Sequence, residues 1–217
     1  MRAIRLLRMA SMVAVAAAFC MLAGQNVSQA SIVGSDHDFS SKGCSGGRIC
    51  IVCHTPHNAD TSVADAPLWN HEVTQATFTT YSSPTLDATV GPPSGVSKLC
   101  LSCHDGTVAI DSYGGNSGTK YIDGGKKPGT DLSNDHPISF TYGSALAASD
   151  GELVDPAADA DGDPETVGDG TPYLPLFNGT LQCATCHDVH NTVSQGNPDL
   201  LIRPRSGSQI CLTCHTK

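Results

Sequence analysis

The chain has 217 residues, with 12 lysines and arginines against 21 aspartates and glutamates, and a formal net charge of −9. An acidic balance of this size makes nucleic acids and anionic lipids poor partners and favours basic proteins or cationic minerals. The length suits one domain, but aromatic residues are scarce and Trp69 is the single tryptophan. Because long apolar runs are also few, we expect the chain to struggle to build a hydrophobic core of its own.

Residues 1–30 are predicted to be a secretory signal peptide. Three arginines form a basic start, an apolar run follows, and Ala30 is the small residue at the expected cleavage site. The apolar run is shorter than a bilayer span requires, so the mature chain, residues 31–217, is predicted to be one domain without a transmembrane segment. It carries nine basic and 21 acidic residues, a net charge of about −12. The signal predicts secretion through the periplasm to the extracellular space or outer surface.

Four Cys-x-x-Cys-His segments, called pentads here, follow at uneven intervals. In this spacing, which is that of c-type haem attachment, two thiols bond the vinyl groups of one porphyrin and the next imidazole binds its iron. Four copies that use eight of the ten cysteines indicate four covalently bound c-type haems. The predicted thioether residues are Cys50, Cys53, Cys100, Cys103, Cys183, Cys186, Cys211 and Cys214. The predicted proximal iron ligands are His54, His104, His187 and His215.

We expect an irregular fold, mostly coil with short helices and few short strands, organised around four stacked haems. Glycine and proline are scattered along the chain and indicate frequent turns. A short helix is predicted to begin at each pentad, because two thioether bonds favour one helical turn there. The alternating segment 76–81 predicts a short strand, and the interval 105–182 is predicted to be mostly loop.

The second ligands of the irons come from the remaining histidines, because all four methionines lie in the predicted signal peptide. Five histidines serve four irons, so each iron can receive two imidazoles and one histidine is spare. His57 and His190 each follow a proximal histidine by three residues, so each would bind a different haem, within the chain or in another copy. His190 is the favoured spare. The distal candidates are His37, His57, His71, His136 and His190.

Two weaker signals have simpler interpretations. The acidic segment 155–169 resembles a calcium loop, but Pro164 and Gly170 stand where an EF-hand needs its glycine and its bidentate glutamate. A solvated acidic loop is therefore favoured over bound calcium. Cys44, outside the pentads, is either free or pairs between copies, and a free loop thiol is favoured.

Five short segments form a pattern more specific than any pentad alone. They are His-Asp-Phe-Ser at 37–40, Cys-His-Thr-Pro-His-Asn at 53–58, Pro-Leu-Trp-Asn-His at 67–71, Cys-His-Asp-Gly at 103–106 and Asp-His-Pro at 135–137. Together they resemble the OmcE-like tetrahaem outer-membrane c-type cytochromes of metal-reducing bacteria, the cytochrome nanowire family, which polymerise into extracellular filaments. The resemblance implies a continuous chain of bis-histidine haems, with one histidine crossing to a haem of the adjacent subunit. In a related hexahaem filament cytochrome the crossing residue is the second histidine of a Cys-His-x-x-His segment, which by likeness is His57 here.

These observations predict long-range electron transfer by a secreted tetrahaem cytochrome that polymerises into filaments. Its partners would be further copies of the chain, redox proteins and extracellular electron acceptors. A monomeric periplasmic tetrahaem shuttle with the same ligation is the alternative. A multihaem reductase is the least favoured, because an enzyme needs an iron with an open position or a pentad that ends in lysine, and all four pentads end in histidine.

Overall fold

Short helices separated by long irregular segments characterise the computed structural model, which describes residues 32–64, 66–194 and 196–216. Four α-helices lie in these residues: α1 (Gly95–His104), α2 (Ser144–Asp150), α3 (Cys183–Cys186) and α4 (Gln209–Leu212). Single 3-10 turns occupy Phe39–Ser41, Gly124–Lys126, Pro198–Leu200 and Ser206–Ser208. The prediction of a mostly coiled chain with short helices and few strands is confirmed.

Two antiparallel pairs of two-residue strands make up the sheet structure of the described residues. The pairs are β1 (Phe140–Thr141) with β4 (Thr180–Leu181), and β2 (Thr166–Val167) with β3 (Leu174–Pro175). Phe140 lies opposite Leu181 in the first pair. Val167 lies opposite Leu174 in the second. In both pairs the register brings two apolar residues together.

The main hydrophobic core is built around these strand pairs. Val167 and Leu174 are fully buried in it. The other buried members are Phe140, Tyr142, Leu176, Leu181, Ile202 and Cys214. These residues come from separate short segments, so no apolar run in the sequence indicates them. Contrary to our expectation, the chain does form a hydrophobic core of its own.

A second, smaller apolar cluster joins the first pentad to α1. Val63, Trp69 and Val73 pack with Leu99 of α1, and Cys53 of the first pentad packs against them. Trp69, the single tryptophan, is 8 % exposed. The segment around it therefore connects the front of the chain to the second pentad.

The helices at the pentads agree with the prediction only in part. α3 begins at Cys183, as predicted for the third pentad. The prediction is wrong for the second pentad, because α1 begins ahead of it at Gly95. It is also wrong for the first pentad, where a hydrogen-bonded turn replaces a helix. α4 begins at Gln209, before the fourth pentad.

The predicted strand over residues 76–81 is wrong. Within it Thr79 alone forms an isolated bridge, to Asp131. The other residues of the segment form neither helix nor strand. The interval 105–182 is mostly loop, as predicted, although it carries α2 and all four strands.

The predicted signal peptide, residues 1–30, lies outside the described residues. Residues 31–217 form one compact unit. Among the described residues, none of the helices has the length and apolar character needed to cross a bilayer.

Candidate haem-binding sites

The pentads share one local geometry. In three of them the histidine N–H donates to the carbonyl of the first cysteine, as in one turn of α-helix. The distances are 2.8 Å for His54 to Cys50, 3.0 Å for His187 to Cys183 and 3.0 Å for His215 to Cys211. The second pentad lies inside α1 and has the same turn. Side chains at positions i, i+3 and i+4 share one face of a helical turn, so each pentad presents two thiols and an imidazole to one side.

The pentad thiols are available for covalent attachment. The cysteines of the described residues are all free thiols. Burial raises the pKa of Cys53 and Cys186 to about 11, and it raises the pKa of Cys103 and Cys214 to about 12. These four thiols are therefore protonated at neutral pH, a state that is unsuited to nucleophilic catalysis.

Backbone carbonyls orient the imidazoles of three pentads. The distances from Nδ1 to the carbonyl oxygen are 2.6 Å for His54 to Pro67, 2.7 Å for His104 to Lys126 and 2.7 Å for His187 to Asp199. A carbonyl oxygen only accepts, so Nδ1 carries the proton in each ring and Nε2 keeps its lone pair. Metal-binding histidines are held in this way. The sequence carries no signal for these acceptors, because every residue type has a backbone carbonyl.

Two pentad imidazoles lie beside a histidine from a distant segment. The ring centroids of His54 and His190 are 6.0 Å apart, with their planes inclined by 20°. Those of His37 and His104 are 5.9 Å apart, with an inclination of 45°. Two imidazoles on opposite sides of one metal ion, with metal–nitrogen bonds of about 2 Å, have centroids about 6 Å apart. Packed aromatic rings span the same range, but each of these two pairs contains one pentad histidine. Both pairs fit a six-coordinate iron.

The placement of His190 differs from the role of spare histidine that the sequence favours. Its backbone N–H donates to Asp188 Oδ1 at 3.1 Å. The same carboxylate accepts from the N–H of Val193 at 2.7 Å. The ring of His190 lies beside that of His54 in the first pentad. This position is one that the spacing of His190 from His187 allows.

The surroundings of the His37 ring suit an imidazole that binds a metal. Its Nδ1 is buried and has no hydrogen-bond partner among the described residues. Burial of the ring, with the nearby His104, lowers the pKa of His37 to about 4, so the ring is neutral at pH 7. A neutral imidazole keeps a lone pair for metal binding.

His136 lies near the fourth pentad. Desolvation of its ring and the proximity of His215 lower the pKa of His136, although the residue as a whole is exposed. Its Nδ1 lies 2.8 Å from the carbonyl oxygen of Pro137. Nδ1 is therefore the protonated nitrogen here too, and Nε2 remains free to bind a metal.

His57 and His71 line one cavity of about 580 Å³, together with Trp69 and Tyr113. His57 is exposed, whereas His71 is buried. The ring nitrogens of His71 lie 2.8 Å from the carbonyl oxygen of Glu72 and 3.0 Å from that of Ala109. Within the described part of the chain, neither histidine has a ring contact with a pentad histidine.

The acidic segment uses its carboxylates within its own turns. Asp159 accepts from the N–H of Gly168 at 2.8 Å, and Asp161 accepts from the N–H of Asp163 at 3.0 Å. No cluster of three or more histidine, cysteine or acidic side chains in the described residues is arranged to hold a metal ion. These contacts are those of a turn-rich acidic loop.

Cys44 lies in a loop close to the second pentad. Its carbonyl accepts from the hydroxyl of Tyr113 at 2.9 Å. Desolvation raises the pKa of its thiol, so the thiol is protonated at neutral pH. The contact with Tyr113 ties this early loop to the segment that follows α1.

Comparison with known proteins agrees with the pentads. Residues 175–217, which hold the third and fourth pentads, match the family described as "Doubled CXXCH motif". No curated protein gives a match to the chain. The doubled motif supports a multihaem c-type cytochrome that takes part in electron transfer and binds haem covalently.

Proposed function

We propose that this multihaem c-type cytochrome is a secreted electron carrier with four bis-histidine haems, and that its chains polymerise into extracellular filaments like those of the OmcE-like family. The observation that carries the proposal is the pairing of pentad histidines with distant histidines at about 6 Å, as expected across one metal ion. The haems supply one-electron iron couples, and the protein sets their ligands, burial and surrounding charge.

The ring contacts suggest a ligand for two of the four irons, and the effect of His215 on the pKa of His136 suggests a third. His190 serves the iron of His54, and His37 serves the iron of His104. His136 serves the iron of His215. Burial keeps the ring of His37 neutral, and the carbonyl of Pro137 fixes the proton of His136 on Nδ1, which leaves a nitrogen of each ring for the metal. Two imidazoles on each iron leave no position for a substrate, so we propose no enzymatic activity.

The fourth iron is the one that we assign to the contact between subunits. Among the described residues, His187 has no ring contact with another histidine. His57 is exposed, so it is free to reach the His187 haem of a neighbouring copy. His71 lines the same cavity and is the competing candidate for that role. One crossing ligand per chain would link every subunit to the next and make the series of haems continuous.

The predicted signal peptide and the net charge suggest where the proposed filament transfers electrons. The predicted signal peptide fits haem attachment outside the cytoplasm. The acidic mature chain favours basic redox proteins or cationic minerals as electron acceptors. The alternative, a monomeric shuttle, would share this intrachain ligation. Each of its four irons would, however, need both of its histidine ligands from one copy of the chain.

Electron microscopy and spectroscopy of matched variants test the proposal. We expect the wild type to form filaments in negative stain, with four haems per chain and low-spin spectra. His57→Ala should keep four haems but remain monomeric, and one iron should become high spin. His71→Ala is the control and should still polymerise.

Each contrary result has a separate meaning. Filaments that persist in His57→Ala and disappear in His71→Ala would transfer the crossing role to His71. A wild type that stays monomeric at high concentration with four low-spin irons would support the shuttle. A wild type that stays monomeric and has one high-spin iron that binds carbon monoxide would support the reductase.

A further inference from the structure

The second and third pentads pack against each other. α1, which ends with the second pentad, contacts α3, which carries the third. At this contact the backbone N–H of Cys183 donates to the hydroxyl of Ser97, three residues before Cys100 on α1. The first cysteines of two pentads, distant in the sequence, are therefore brought to the same contact.

Haem attachment would change both of these cysteines. It would add each S–H across a vinyl C=C bond, so that the sulfur bonds to one carbon and the hydrogen goes to the other, with no net oxidation or reduction. If the two pentads remain adjacent in the haem-loaded protein, groups that attachment leaves unchanged must hold them.

Ser97 and Gln182 provide such groups. Ser97 Oγ accepts from the backbone N–H of Cys183 at 2.9 Å, and Gln182 Oε1 accepts from the backbone N–H of Ser97 at 3.2 Å. The hydroxyl of Ser139 donates to the same Oε1 at 3.1 Å. Ser97 is 0 % exposed and Gln182 is 3 % exposed. Because both are buried, a partner lost here is not replaced by bulk water.

The first turn of α1 also lies against Gln182. Gly95 has a φ of +50°, and a Cβ at this position would be 3.1 Å from Gln182 Nε2. Glycine adopts this backbone conformation without strain and leaves room for the amide. The close approach and the reciprocal bonds of Ser97 together fix α1 relative to α3.

We infer that Ser97 and Gln182 are positioning residues for electron transfer between the second and third haems, because they keep the second and third pentads adjacent after their cysteines have become thioethers. The inference rests on the proposed function. Each pentad would hold one porphyrin by its edge, so adjacent pentads would bring two porphyrins close together. One iron then loses the electron that the other gains. Neither Ser97 nor Gln182 bonds to haem or iron.

Ser97→Ala and Gln182→Leu test this inference in the haem-loaded protein. Neighbouring haems give a two-signed exciton couplet in circular dichroism of the Soret band, and its amplitude depends on their separation and orientation. We expect both variants to lose amplitude while they keep four haems per chain by mass spectrometry and low-spin visible spectra. Lys98→Ala is the control. Lys98 lies on the same helix but outside the pentad, so its loss should leave the couplet intact.

The possible outcomes separate the inference from the proposed function. An unchanged couplet in both variants, or an equal loss in Lys98→Ala, overturns the positioning role. If Ser97→Ala does not fold, Ser139→Ala provides a milder test, because it removes one hydroxyl donor to Gln182 Oε1. A wild-type protein without covalent haem would overturn the proposed function itself. Four haems with an unaltered couplet would overturn only the inference.

Discussion

Replacing His190 with alanine is expected to convert one haem of the four from low spin to high spin. The turn that carries His190 should survive, because the backbone N–H that donates to Asp188 remains in the variant. His54 should also keep its orientation, since its Nδ1 still donates to the carbonyl of Pro67. The substitution therefore removes one ligand from one iron and leaves the other three unchanged. With four pentads in the chain, the expected change is one quarter of the total haem.

Visible and electron paramagnetic resonance spectra of the purified variant measure this fraction. Carbon monoxide should bind without denaturation to one more haem per chain than in the wild type. Val189→Ala, at a residue 37 % exposed beside His190, is the control and should leave the spectra unchanged. A His190→Ala variant whose irons all keep the wild-type spin states would refute the pairing with His54 and return His190 to the role of spare histidine.

Two further predictions concern stability. Leu174→Ala should destabilise the protein by about 2–5 kcal/mol, because Leu174 is fully buried in the core. Leu68→Ala, at a leucine that is 58 % exposed, is the control and should change stability by no more than about 0.5 kcal/mol. Equal urea midpoints for the two variants would contradict the assignment of the core. The backbone N–H groups of Lys120 and Thr119, both at 2.8 Å, hold the pKa of Asp111 below its usual value. The stability that this depressed pKa contributes is present above about pH 4 and is lost as the pH falls through the folded-state pKa. Asp111→Asn should therefore lower the urea midpoint at pH 7 and make the decline of that midpoint in acid shallower. A parallel decline in wild type and variant would show that Asp111 is not the source of this pH dependence.

The local geometry of the pentads follows from the sequence, because residue spacing determines which side chains share a helical turn. The turn that joins His54 N–H to the Cys50 carbonyl is of this kind. The length of each helix does not follow from the pentad alone. α1 extends back to Gly95 because its leucines are buried, with Leu99 only 3 % exposed. Packing against other segments therefore determines where the helix begins.

The histidine pairs and the core are beyond prediction from spacing, because both depend on contacts between distant segments. The spacing of His190 excludes the haem of its own pentad but does not select another. Val167 and Leu174 belong to strands of two residues each, too short for periodicity to identify. Their burial results from strand pairing, which local sequence does not specify.

The scarcity of helices and strands has a physical connection with the orientation of the imidazoles. Inside a helix or a sheet, each backbone carbonyl is already engaged in the ladder of backbone hydrogen bonds. The carbonyl of Pro67 lies in an irregular segment, and those of Lys126 and Asp199 lie in single 3-10 turns, where carbonyls have few partners within the turn. All three are free to accept from a histidine Nδ1. Irregular segments thus provide acceptors that regular structure would have used, so the high coil content helps to hold the rings that the haems require.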